Sequence, residues 1–527
     1  MKKIIAVLFL MLLPLSAAEN TCQSCHPNER GSCNLTCGQC HLSPVAEVKP
    51  TADHPAIIPN PSTERWWDEK CVQCHQQQVA SFRKSLHFSN RGMIDQTLFL
   101  FGQSDRLFST SPEAWKALRA VKGVETPDMS GVVNYLLAGK CLSCHFAADT
   151  EDDVLGRKHA AGCASCHVAL DQQTGKPLHG HRFQKKIEDE VCLTCHSGNR
   201  VGADYYGYFE HDYHNQYNMP YGSKPRFGAF QHRLQSDVHQ QAGMQCVDCH
   251  QEHVARSNAP RFEGEQPDVR CVDCHGGFDG SPAQKQDSVP LFSRQTVAHQ
   301  DFHRKVRCSA CHARWSFQDY GLHLFLDQSA HYEMWEDYIW QGDGEVARLL
   351  QQQLAINPQQ RVKARSTNKL SGEKMAGVWY KGWTFRRWET PVLGWDAYGK
   401  VSVIRPLYQY FITFVDSLDR VWIDSQKPRR RDGKVGWNWD AYAPHTIGKK
   451  GRTCESCHLN VKAVGLGIRH HAQDSAAHAI TLPVQPVLPG SRLLNAAERE
   501  RLLKKSKAYK IWRSRAFLQE GAQRLFK

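Results

Sequence analysis

Twenty of the 21 cysteines stand in ten Cys-x-x-Cys pairs, and a histidine follows every pair at once. The units are Cys22-Cys25-His26, Cys37-Cys40-His41, Cys71-Cys74-His75, Cys141-Cys144-His145, Cys163-Cys166-His167, Cys192-Cys195-His196, Cys246-Cys249-His250, Cys271-Cys274-His275, Cys308-Cys311-His312 and Cys454-Cys457-His458. Two thiols at this spacing match the separation of the haem vinyl groups to which they add. The next residue then lies beneath the iron as its proximal imidazole. Zinc sites also use Cys-x-x-Cys, but their remaining ligands stand at variable distance. Disulfide frameworks do not bring matching histidines. With 28 histidines among 527 residues, ten chance followers are excluded. The pattern predicts ten covalently attached c-type haems, each with its iron.

Ten proximal ligands leave 18 histidines, against only eight methionines in all. Bis-histidine ligation is therefore the economical expectation, and it sets the haems toward low potential. The candidates for the sixth position are His87, His159, His179, His239, His253, His299, His303, His323, His445 and His471. Several stand just before a motif, as His159, His239, His299 and His303 do, while His253 and His87 follow one. For His211, His214, His470 and His478 an ordinary surface or packing role is at least as good a reading. Cys33, the cysteine outside the motifs, is open to three readings: a packed thiol, an intermolecular disulfide, or an axial ligand.

The motifs cluster as three, three, three and one. This predicts a three-haem segment over 19–135, a six-haem module over 136–330, an aromatic-rich insert with strands over 331–444, and a tenth haem with a basic helix over 445–527. The expected fold is mainly α and loop-rich, with a haem-dominated core. Pro112-Glu113 opens a short helix carrying Trp115, Leu118 and Val121 on one face. Asp343 opens another with Val346, Leu349, Leu350 and Leu354, stopped at Asn357-Pro358. The stretch 313–453 has no haem motif but holds ten of the 14 tryptophans. Within it, 401–415 and Arg420-Val421-Trp422-Ile423-Asp424 read as strands, and Asp432-Gly433 as a turn. Asn495-Ala496-Ala497-Glu498 starts a helix expected to run to about Gln519.

Lys2 and Lys3, the apolar run 4–13, and small Ser16 and Ala18 form a signal peptide over 1–18, so the chain is expected to be exported. No later window is apolar enough to span a bilayer. The formal charge of +13 does not imply nucleic-acid binding. Each ferric haem brings about −1 through its propionates, and each ferrous haem about −2, so the loaded protein is near neutral or acidic. The last 37 residues carry 11 Lys and Arg against three Glu. That basic face is either solvated or a dock for an acidic partner or anionic lipid.

Beyond the motifs, Arg200-Val201-Gly202 with Tyr206-Gly207-Tyr208, Asp237-Val238-His239 with Gly243-Met244-Gln245-Cys246, Cys311-His312-Ala313-Arg314-Trp315 and Pro444-His445-Thr446 carry a resemblance. Over 141–320 and 435–470 the chain resembles the large multihaem cytochromes c of respiratory bacteria. That group includes octahaem hydroxylamine-oxidoreductase-like and tetrathionate-reductase-like proteins and the cytochromes of metal and sulfur respiration. The resemblance implies stacked haems, a mostly helical fold and electron conduction. The lysine-ligated active haem of the octahaem reductases is missing from the motifs, all of which are plain Cys-x-x-Cys-His. No residue is assigned to catalysis, although the tyrosine-rich stretch 205–221, with His211 and His214, is a candidate lining for a catalytic haem.

The expected function is a decahaem electron carrier of anaerobic or extracellular-type respiration, in the periplasm or at the outer membrane and beyond. Its partners would be other cytochromes or a quinol-oxidising membrane complex, and a metal oxide or small oxyanion as terminal acceptor. Two alternatives stand beside it: a multihaem reductase or oxidase of a nitrogen or sulfur compound, and a subunit of an extracellular cytochrome filament. A homo-oligomer is left open. Because every motif is intact, the mass of the purified protein should exceed that of the mature chain by about ten haem masses, and a shortfall of two or more haems would overturn the count.

Overall fold

The computed structural model describes residues 35–42, 56–105, 112–148 (save 125), 159–198 (save 173 and 181), 202–210, 231–250, 270–276, 290, 297–299, 303–338, 344–466 (save 408), 491–503, 514–515 and 518. Residues 1–18, expected to be a signal peptide, Cys22-Cys25-His26, Cys33, His211, His214, His253, His470, His471 and His478 lie outside the described residues. Among the described residues no helix is long and apolar enough to cross a membrane.

The first half is built from short helices. Helix α1 (Val72–Phe82) carries the third motif and kinks at His75, whose φ of −116° and ψ of 34° leave the helical region. Helix α2 (Arg91–Leu100) starts after Asn90 in the left-handed conformation. Helix α3 (Pro112–Ala120) has proline at its first position, where no amide hydrogen is needed. Helix α4 (Met129–Gly139) is capped by Asp128, which accepts from the amides of Ser130 and Gly131. Helix α5 (Asp189–His196) ends on the sixth motif. A small ladder pairs β1 (Tyr208–Glu210) with β2 (Gln231–Arg233), and helix α6 (Val238–Gln241) follows.

The second half holds two four-stranded sheets. Strand β3 (Ser316–Asp327) is followed by helix α7 (Gly344–Leu354), the β4 (Arg365–Thr367) and β5 (Lys374–Ala376) ladder, and β6 (Val378–Glu389). Then come β7 (Val392–Trp395), β8 (Val401–Leu407), β9 (Tyr410–Val415), β10 (Val421–Gln426) and β11 (Asn438–Tyr442). Strand β12 (Arg492–Leu493) and helix α8 (Ala496–Leu502) close the described chain. One sheet has the order β10-β9-β3-β6, with β3 antiparallel to β6 and parallel to β9; the other runs β11-β8-β7-β12.

Alternation along the strands buries the first sheet on both faces. Leu324, Leu326, Trp379, Ile412 and Phe414 pack on Val132, Val133 and Leu136 of α4. Phe325, Val378 and Tyr380 point the other way, onto Val346 and Leu350 of α7. Tyr135 ties α4 to the β4–β5 ladder that leads into β6, donating to the carbonyl of Ala376 at 2.7 Å. In the second sheet Val392, Ile404 and Trp439 share one face, while Leu393, Val403 and Tyr442 share the other. That second face packs on Ala310, Trp315 and Val464, beside the ninth and tenth motifs.

An ordinary apolar core forms where α4 meets the first sheet. The strands also extend past the expected insert of 331–444, since β3 begins at Ser316 and β12 returns at Arg492. The Asn495–Glu498 capping box is present as expected. Helix α8 nevertheless stops at Leu502, because Leu503 is extended and both leucines turn into the apolar cluster beside the tenth motif.

Leu136, 1% exposed, fills the junction between α4 and the sheet. Leu136→Ala should cost about 2–5 kcal/mol, lowering the denaturant midpoint read by near-ultraviolet circular dichroism while haem mass stays constant. A midpoint no lower than that of the surface control Glu373→Ala would refute this packing.

Candidate haem-binding sites

Most of the described motifs occupy about one helical turn, which brings both cysteines and the histidine to one side. Local sequence starts these turns. Thr36 and Gln39 cap the helix Cys37–His41 reciprocally, and Thr453 accepts from the Ser456 amide before Cys454–His458. In Cys246-Val247-Asp248-Cys249 and Cys271-Val272-Asp273-Cys274 the aspartate reaches back to the amide of Gln245 at 2.8 Å and of Arg270 at 2.7 Å. Gly162 has φ +68°, and a Cβ there would meet the Ser62 carbonyl at 1.9 Å. A residue with a side chain could not let the fifth motif approach so closely, and the Cys163 amide donates to that same carbonyl at 3.0 Å.

Among the described residues, five motif histidines face a second histidine. The ring centres are 5.9 Å apart for His196 and His87, 6.1 Å for His275 and His239, and 6.3 Å for His250 and His445. They are 6.4 Å apart for His312 and His299, and 6.3 Å for His458 and His303. An iron held by two imidazole nitrogens at about 2 Å each needs ring centres about 6.2 Å apart, so the pairs fit an iron between them.

The opposite ring nitrogens are anchored as such ligands require. His41 donates its Nδ1–H to the Ile58 carbonyl at 2.8 Å, His167 to Gln184 at 2.8 Å, and His275 to Pro290 at 2.6 Å. His312 donates to Gly448 at 3.1 Å and His458 to Leu502 at 2.6 Å. Such bonds fix the tautomer and turn Nε2 toward the metal position. Burial pushes His196 down to about 3, helped by His87, His250 and His445 nearby. The neutral form is the one that ligates iron.

The attachment sulfurs form a continuous series. Cys71 hydrogen-bonds Cys163, Cys192 hydrogen-bonds Cys246, and Cys271 hydrogen-bonds Cys308. Cys166 lies within electrostatic reach of Cys192, Cys249 of Cys271, and Cys311 of Cys457. The series thus runs through the third, fifth, sixth, seventh, eighth, ninth and tenth motifs. The fourth branches from the sixth, where Cys144 and Cys195 approach each other's carbonyls at 3.9 and 3.6 Å. The second motif sits beside the third, with Lys70 donating to the carbonyls of Gln39 and Leu42.

The sheets position the end of this series. Val306 bridges Val401 of β8, and Ala313 bridges Ile447, so both ends of the ninth motif are held. Arg307 pairs with buried Asp396 at 2.6 Å. The Arg452 amide donates to the Cys311 carbonyl at 2.7 Å, locking the ninth motif to the tenth.

Three of the sequence candidates are set differently. His323 lies in β3, with Nε2 2.8 Å from the Thr413 hydroxyl. His179 forms an exposed pair with Glu188 at 2.7 Å. Buried His159 has Nε2 3.2 Å from the Ser143 carbonyl. Its neighbour His145 belongs to a 3-10 turn (Cys141–Cys144 and the residue after it), and its Nε2 lies 3.3 Å from the Phe88 carbonyl. Burial pushes His145 down to about 4. The fourth motif is therefore the branch, and its histidine sets Nε2, the nitrogen that would face a metal, against a backbone carbonyl.

A family model described as cytochrome c3 matches residues 238–320. The span holds the seventh, eighth and ninth motifs together with His239, His299 and His303. This supports a multihaem c-type cytochrome. Compared with curated proteins and with solved structures, the chain matches none. Sequence reasoning did not anticipate the carboxylates behind two of the facing rings. Asp237 lies 2.8 Å from His239 Nδ1, and fully buried Asp204 lies 3.6 Å from His445 Nδ1. Only the first had a local signal: Asp237 stands two residues before His239, in a helix-capping position, whereas Asp204 meets His445 across the fold.

His239→Ala and His303→Ala should each convert one haem to high spin in the ferric spectrum, at unchanged haem content. A low-spin spectrum identical to wild type in either variant would remove that histidine from the ligand set.

Proposed function

We propose that this multihaem electron-transfer protein is a decahaem conduit in respiration, exported to the periplasm or beyond. The single observation that carries this reading is the unbroken series of adjacent attachment cysteines from Cys71 to Cys457. Sulfurs in contact or within electrostatic reach of one another would hold the edges of neighbouring macrocycles close together, the arrangement a relay requires. The haems, once attached, supply reversible one-electron change at iron.

The chain's part is to hold and shield. The five facing histidine pairs would hold an iron from both sides and leave no position there for substrate. Nδ1–H donors to carbonyls fix the rings against rotation. Apolar walls such as Trp67, Phe82, Phe88 and Phe146, packed edge-on, tilted and stacked at centre distances of 5.3 to 6.1 Å, keep water from the neighbourhood of the third and fourth motifs. The core is then partly macrocycle and partly the apolar sheets, which act as a rigid wall for the last two haems. Redox partners are other cytochromes or a quinol-oxidising complex at one end and a metal oxide or small oxyanion at the other.

One observation favours a second reading. The turned His145 marks the fourth site as the place where an iron with an open side would belong in a reductase of a small nitrogen or sulfur compound. The filament alternative draws on no described contact.

An optical and paramagnetic-resonance survey of the ferric protein separates these readings. A conduit should be low-spin throughout, and several high-spin haems would refute it. A single high-spin haem that binds nitrite or hydroxylamine would favour the reductase.

A further inference from the structure

The facing rings differ in what stands behind them. Behind His303, Nδ1–H donates to the neutral carbonyl of Ala298 at 3.0 Å, and behind its partner His458 to that of Leu502. Behind His239 stands the carboxylate of Asp237, 2% exposed. Its Oδ1 accepts from both the ring and the backbone amide of His239, and its Oδ2 from the Ile447 amide at 2.7 Å. Behind His445 stands Asp204, with no solvent exposure. Its Oδ2 accepts from the Tyr442 hydroxyl and, at 2.9 Å, from the His445 amide. Its Oδ1 has no hydrogen-bond partner and faces the equally unpartnered His445 Nδ1 across 3.6 Å. Two orphaned buried atoms, one able to donate and one able only to accept, face each other. A slight ring rotation joins them.

A carboxylate takes a stronger hydrogen bond from imidazole than a carbonyl does, and pushes electron density onto the nitrogen that faces the metal. Its buried charge also favours the more positive oxidation state of the site. Both effects favour ferric over ferrous iron. We propose that Asp204 and Asp237 are positioning residues that hold the irons of the seventh and eighth motifs at lower potential than the carbonyl-backed iron between His303 and His458. The two sites are neighbours in the series, through Cys249 and Cys271. A low-potential step thus lies inside the relay rather than at an end. This inference rests on the bis-histidine reading above.

The test uses the full haem-loaded protein. Asp237→Asn and Asp204→Asn should each raise the midpoint of one haem in a spectroelectrochemical titration, with the number of low-spin haems unchanged. The remote turn variant Asp432→Asn should leave every midpoint in place. Midpoints that stay fixed or fall in both aspartate variants would overturn the proposal. Should the variants lose haem, the wild-type protein decides by near-infrared magnetic circular dichroism. Two low-spin haems should show the charge-transfer band at the higher energy of imidazolate-like ligation, and a spectrum with all low-spin haems at the neutral bis-imidazole energy overturns the proposal. A spectrum without bis-imidazole haems would instead refute the underlying ligation reading.

Discussion

The meeting of two histidine rings from distant parts of the chain is the contact on which the rest of this arrangement depends. A Cys-x-x-Cys-His turn is local and folds on its own cap, as the Asp248 and Asp273 turns do. Its partner ring is not local. His87 comes from the segment after the third motif to face His196 of the sixth, and His445 comes from just past β11 to face His250. His303 passes over its own motif to face His458. Each such pair joins two segments that share little else, so the series of sites is stitched together crosswise. A group that binds only the folded arrangement of both rings stabilises that arrangement by its own binding free energy.

The sheets give this stitching a fixed frame. The first sheet is buried on both faces and is held to the helical half through α4, whose Tyr135 hydroxyl reaches the β5 edge. The second sheet spends one face on its own tryptophans and the other on the ninth and tenth motifs. The chain passes between the sheets at the turn from β6 to β7 and again from β8 to β9, so neither sheet can shift alone. Bridges at Val306 and Ala313 transfer that rigidity to Cys308 and Cys311.

Chemistry was far more legible in the sequence than architecture. The attachment motifs need no tertiary context, because covalent spacing defines them. His239, His299 and His303 stood out through their closeness to a following motif, and each faces a motif histidine in the structure, although His239 and His303 face the histidine of a later motif than the adjacent one. His323 could not be told from them, since nothing in its immediate sequence reveals that it lies in a strand facing Thr413. The capping box at Asn495 was readable, but the end of α8 was not. Leu503 leaves the helix for tertiary reasons, and the Leu502 carbonyl is turned to His458. Strands 401–415 and 420–424 were visible by β-branched and aromatic content. Their sheet partners, including the parallel pairing of β3 with β9, depend on long-range register that composition does not encode.

The crosswise ring pairs also impose a timetable on assembly. A chain threaded outward from its amino end presents His87 before the sixth motif, so His196 finds its counterpart already waiting. His250 has no such fortune. Its counterpart His445 follows only after the first sheet, three strands of the second and most of the tryptophans have emerged. Until then the macrocycle secured at Cys246 and Cys249 would keep one side open to whatever small molecules the compartment holds. Maturation of the central sites is thereby tied to completion of a β-structure that carries no haem at all.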